Sequence, residues 1–232
     1  MFEGGKLTSM LADQIARLQK FYGPLQPPPD DPFMLFVWEV LSMHATSRKR
    51  DAAYAALKRH RLLTPDAMWR APRQKLESSV LLAGPYFDQR LRALQAGVDV
   101  FRSARDLPKL IRGPLTTARR ALRRLPQIGE GTPQRMLLFA SSHAVLPVDA
   151  RVRRVGVRLG YGKASADLRK TSRSVQIALA KHLPRESNAM RTAFLYLSHH
   201  GAATCTDADP HCGVCPLADE CLFFNSTRRP VA

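Results

Sequence analysis

Apolar positions along this chain recur with the period of a helix, and no run of β-branched residues at alternate positions competes with that pattern. The period predicts helices over about 9–21 and 33–45, one containing Leu76 and Leu81, and others over about 86–103, 114–124, 133–142, 150–160, 171–183 and 188–200. The second is apolar with few breaks and reads as a buried core helix. The tract Gly23–Pro32 (GPLQPPPDDP) cannot continue a helix, because proline lacks an N–H and clashes with the preceding turn. Thr64 is placed to cap a turn begun by Pro65, Gly84-Pro85 stops the helix before it, and Ser187 and Gly201 bracket the last helix. The chain is expected to be almost entirely α-helical. The proline tract sets an N-terminal helix and linker, over 1–31, apart from the helices that follow.

Charge narrows the partner. The 232 residues carry 36 Lys and Arg against 19 Asp and Glu, a formal charge of +17 that calls for an anionic polymer or surface. No apolar stretch approaches the roughly 20 residues needed to span a bilayer, which favours nucleic acid over membrane. The N-terminus lacks a basic start followed by an apolar block, so an intracellular, cytoplasmic location is expected, beside the nucleoid in a bacterium.

All the cysteines, Cys205, Cys212, Cys215 and Cys221, fall in one tract with the spacing C-x6-C-x2-C-x5-C. Clustered thiols in a reducing compartment are metal ligands more often than disulfides. Four thiolates in one compact loop suit a cubane [4Fe–4S] cluster, and structural zinc is the alternative.

Two further segments carry chemistry. Ala121–Pro133 (ALRRLPQIGEGTP) reads as an arginine-bearing helix, a glycine-containing turn and a new helix. The N–H groups of such a turn can cradle phosphate, though an ordinary helix–turn–helix corner has the same local pattern. Asp149 follows Val148 and precedes an arginine-rich helix, where it is an N-cap whatever else it does.

Together these motifs resemble the endonuclease III superfamily of DNA glycosylases. HGAATCTDADPHCGVCPLADEC resembles the family's iron–sulfur loop, and LPQIGEGTP followed by Val148-Asp149 resembles its hairpin LPGVGRKTA and VD pair. Leu41–Thr46 (LSMHAT) falls in the matching core helix. The resemblance spans about 32–221. It implies an all-α protein of two helical subdomains flanking a DNA-binding cleft. One would be a six-helix barrel over 32–143 with the helix–hairpin–helix, the other a cluster subdomain over 144–232 on which the N-terminal helix and linker, 1–31, would pack. It further implies a monomer acting on double-stranded DNA with a damaged or mismatched base, flipped out of the stack.

By position, the resemblance makes Asp149 the catalytic carboxylate. Gln127, Ile128, Gly129, Gly131, Thr132, His44 and Arg151 become DNA contacts, and Cys205, Cys212, Cys215 and Cys221 become ligands of a [4Fe–4S] cluster. Arg119, Arg120, Arg123, Arg124, Arg153 and Arg154 would help hold the DNA backbone. Departures matter too. Gly131 stands where bifunctional members place a Schiff-base lysine, which implies a monofunctional enzyme using water, with oxidised pyrimidine as the default substrate. Gln127 replaces a turn glycine, Glu130 puts negative charge near the expected phosphate, and His44 replaces a gap-filling glutamine. Those losses leave open a catalytically silent protein that binds damaged or unusual DNA.

Overall fold

A computed structural model describes residues 4–126 and 131–228. In chain order the α-helices are α1 (Gly4–Tyr22), α2 (Pro32–Ser42), α3 (Ser47–Arg59), α4 (Pro65–Trp69), α5 (Arg73–Leu81), α6 (Phe87–Ser103), α7 (Leu107–Arg112), α8 (Leu115–Leu122), α9 (Thr132–Phe139), α10 (Ala150–Leu159), α11 (Leu168–Lys181), α12 (Ser187–Ala203) and α13 (Leu222–Arg228). No strand occurs among the described residues, and no helix there is long and apolar enough to cross a membrane. The chain divides into two compact units, 28–143 and 1–27 with 144–232.

The unit over 28–143 is built around α2. Asp31 caps it, its Oδ1 accepting from Phe33 N (3.0 Å) and Met34 N (2.9 Å), and Pro32 fills the first turn where no N–H is needed. Phe36 is fully buried. Gly97 of α6 makes room for it, since a β-carbon there would fall 2.1 Å from the ring, so the two helices touch where only glycine fits. An alanine at 97 would overpack this contact at a cost of about 1–3 kcal/mol. α2 ends at Ser42, not near Ala45 as the apolar run suggests, because His44 takes a left-handed conformation (φ 49°).

The sequence pattern overlooks α3. Its buried positions are Ala53, Ala56 and Leu57 on an otherwise charged helix, so its apolar stripe is mostly alanine. The short helices α7 and α13 are likewise additions to the pattern.

In the other unit, Leu11 and Leu18 of α1 are buried. Gln14 accepts from the Tyr161 hydroxyl (2.9 Å) and donates to Glu220 Oε2 (2.8 Å), which ties the N-terminal helix to the C-terminal segment. Gly201 does not stop α12, which runs on to Ala203. The glycine serves close packing, for a β-carbon there would lie 2.8 Å from Arg151 Cβ of α10. Ser187 is not the cap of α12 either. Glu186 occupies that position and makes no side-chain cap bond. α11 begins at Leu168, earlier than its apolar pattern, because Asp167 Oδ1 accepts from Arg169 N (2.8 Å) and Lys170 N (3.4 Å).

Candidate nucleic-acid site and cysteine loop

Asp149 is the N-cap of α10. Its Oδ1 accepts from Arg151 N (3.0 Å) and Val152 N (2.8 Å), and its Oδ2 accepts from the Ser198 hydroxyl of α12 (3.1 Å). Both oxygens are thus fixed by groups on two helices that Gly201 brings together, while the side chain stays half-exposed. Ser198 carries no signal in the sequence, since it is one more small polar residue on a helix. Next to it, burial and then the Arg151 charge hold the His199 imidazole below its usual range.

The arginines sort into two groups. Arg119, Arg120, Arg123 and Arg124 of α8 and its C-terminal turn are exposed. Arg153 and Arg154 are instead bonded within the fold. Arg153 Nη1 donates to Ser172 Oγ (3.2 Å), and Arg154 donates to the carbonyls of Cys205 (2.9 Å) and Gly201 (2.5 Å). One turn further along α10, Arg158 donates to Cys205 Sγ (3.3 Å), Thr206 O (2.6 Å) and Asp207 O (3.0 Å), and its guanidinium lies 4.4 Å over the Phe223 ring. The cysteine loop is therefore latched to the helix that Asp149 begins.

All four thiols line one pocket, walled by Val155, Leu159 and Phe223. Leu217 N donates to Cys215 Sγ (3.4 Å), and the Tyr22 hydroxyl bridges His200 Nδ1 (2.8 Å) and Thr204 Oγ1 (2.6 Å) beneath the loop. Burial, then the neighbouring thiols, push Cys212 up; burial drives Cys215 up to about 11. Thiols so placed ionise when a cationic centre sits among them. Among the described residues, however, no three His, Cys, Asp or Glu side chains converge closely enough to hold one metal ion. Four soft thiol donors around one pocket are the chemistry that holds an iron–sulfur cluster or a zinc ion.

In the unit over 28–143, Gln127, Ile128, Gly129 and Glu130 lie outside the described residues. Gly131 precedes α9, and Thr132 begins it. The Thr132 hydroxyl is buried and donates to Glu39 Oε2 (3.0 Å), so it is turned away from any phosphate, and only its backbone could serve the role expected of it. Glu39 also receives Arg135, whose Nε donates to both carboxylate oxygens (2.8 Å each). The sequence did carry a signal for Glu39: it is the lone charge in the apolar run Phe33–Ser42.

His44 is exposed, and its ring stacks on Tyr86 with centroids 4.4 Å apart and planes at 33°. Tyr86, 49% exposed, was not singled out by its sequence context.

No family model matches the chain. It is 28% identical to endonuclease III of Haemophilus influenzae over 194 residues, 84% of this chain and 85% of that one. It is 25% identical over 203 residues to endonuclease III homolog 2, chloroplastic, of Arabidopsis thaliana, covering 86% of this chain and spanning half the length of that relative. A solved non-covalent endonuclease III–DNA complex superposes with a TM-score of 0.74 at 21% identity, covering 99% of this chain and 100% of the other. The chain is thus similar to endonuclease III over most of its length and has the fold of that solved complex. In sequence, α8 and α9 flank residues 127–130.

Proposed function

We propose that the protein is a monofunctional DNA base-excision glycosylase of the endonuclease III type, cutting the N-glycosidic bond of a damaged base, with oxidised pyrimidine as the leading substrate class. The observation that carries this reading is the Asp149 carboxylate, oriented by two backbone N–H groups and the Ser198 hydroxyl yet still open to solvent. Departure of the base leaves positive charge on the deoxyribose. A fixed carboxylate can stabilise that cation or take a proton from the attacking water. Gly131 offers no amine to form a Schiff base with the abasic sugar, so strand cleavage by the protein itself is weak or absent.

On this reading the exposed arginines of α8, with Gly131 and Arg151, would contact phosphate, and His44 would fill the gap left by the extruded base. Cys205, Cys212, Cys215 and Cys221 would hold a [4Fe–4S] cluster. Such a group braces its loop and takes no part in bond breaking. The four cysteines lining one pocket support this reading.

The experiment is incubation with duplexes carrying oxidised pyrimidine, uracil or mismatched thymine, followed by hot alkali to cut abasic sites. Breaks should appear on at least one substrate and fall by a hundredfold or more, an order-of-magnitude expectation, in Asp149→Asn. Asparagine still caps α10, so the loss is chemical and not structural. Tight binding with no breaks on any duplex would instead establish a silent lesion reader, the reading favoured by the altered hairpin residues Gln127 and Glu130.

A further inference from the structure

Arg90 of α6 is the largest fully buried side chain among the described residues, at 0% exposure, and its hydrogen-bond partners are not carboxylates. Its guanidinium donates instead to three main-chain carbonyls, of Met43, Gly84 (2.9 Å) and Pro85, while its Nε finds no partner. Two of those carbonyls belong to the residues immediately before His44 and Tyr86. These are two of the few non-glycine residues with left-handed backbone, at φ 49° and 67°. That conformation is costly for a residue with a β-carbon and persists only where surroundings impose it. Arg90 thus grips the peptide units that must turn for the two rings to emerge side by side. Leu81 and Leu82, 61% and 47% exposed at the end of α5 just before Gly84, add apolar surface on a chain of net charge +17.

We infer that Arg90 is a positioning residue that holds His44 and Tyr86 as one preformed aromatic platform, offered to the nucleobases around an extruded nucleotide. The inference rests on the glycosylase reading for its ligand, but not for its geometry. Two stacked rings of fixed orientation give a base a π-face without the ordering cost that flexible side chains would incur.

The first test needs no DNA. In the wild type, the His44 imidazole resonance, identified by its absence in His44→Gln, should be displaced by the Tyr86 ring current and return to an ordinary position in Tyr86→Leu. Arg90→Met should give the same return with helix content unchanged. If its unsatisfied carbonyls prevent folding, Arg90→Lys replaces it, since a compact ammonium cannot span three carbonyls and the same return is expected. A second measurement uses a duplex with an abasic analogue opposite 2-aminopurine. Arg90→Met should lose the stacking quench of fluorescence and bind this duplex about tenfold more weakly, with undamaged duplex bound as before. A ring-current displacement that survives loss of the guanidinium overturns the proposal, as does equal weakening on both duplexes. A displacement that depends on Arg90 in a protein indifferent to the abasic duplex would uphold the positioning role and sink the glycosylase reading instead.

Discussion

Gly131 lies under the guanidinium of Arg135: a β-carbon at position 131 would fall 2.4 Å from Arg135 Nη1, and Glu39 anchors that arginine from the other side. Lysine at 131 must therefore displace an ion pair before its amine can reach a sugar. Gly131→Lys alone is expected to give little borohydride-trapped complex with abasic DNA. Combining it with Arg135→Met and Glu39→Gln clears the space without leaving a buried unpaired carboxylate, and should raise trapping about tenfold. Equal trapping by the single and triple variants would show that Arg135 does not obstruct the position.

Ser198 orients Asp149 through one hydrogen bond, so its loss should be graded. Ser198→Ala is expected to slow single-turnover base release about three- to tenfold, corresponding to about 1 kcal/mol of positioning, with the melting temperature little changed. A rate equal to the wild type would mean that the two amides suffice.

The purified protein should be yellow-brown and contain iron and sulfide. Oxidative removal of the iron, or Cys215→Ser, should bleach it and lower the melting temperature, because a ligand bound only to the folded state stabilises that state. A colourless protein with one zinc per chain would replace the cluster.

Arginine variants should separate by location. Arg123→Ala or Arg124→Ala should weaken duplex binding and reduce the slope of log affinity against log salt by about one each, leaving stability unchanged. Arg154→Met should do the reverse, costing about 1–3 kcal/mol for each carbonyl it orphans. Calorimetry and salt titration on the same preparations distinguish the two classes.

Periodicity and punctuation were enough to place most helices, and thiol spacing with the Val148-Asp149 pair was enough to direct attention to the two ends of α10. What the pattern concealed has common physical causes. α3 hides because alanine contributes little hydrophobic signal. Gly201 looks like a stop and is a packing device, since one residue type serves both uses and only a neighbour, Arg151, tells them apart. Arg153 and Arg154 look like Arg123 and Arg124, yet the first pair is bonded inside the fold. Ser198 and Tyr86 gain meaning only from partners distant in sequence, and Arg90 from Met43 together with the nearby Gly84 and Pro85.

α10 has Asp149 at its start and Arg158, bonded to Cys205, near its end, a span of about 14 Å at 1.5 Å per residue. A stiff rod of that length makes the sulfur loop and the acid mechanically one part. Oxidants that corrode the thiols should therefore be sensed at the carboxylate, and amide hydrogen exchange at Arg151 and Val152, the two donors to Asp149, should accelerate as soon as the loop comes loose. On the proposed reading, a guardian of oxidised DNA would then carry its own vulnerability to the agents whose damage it repairs.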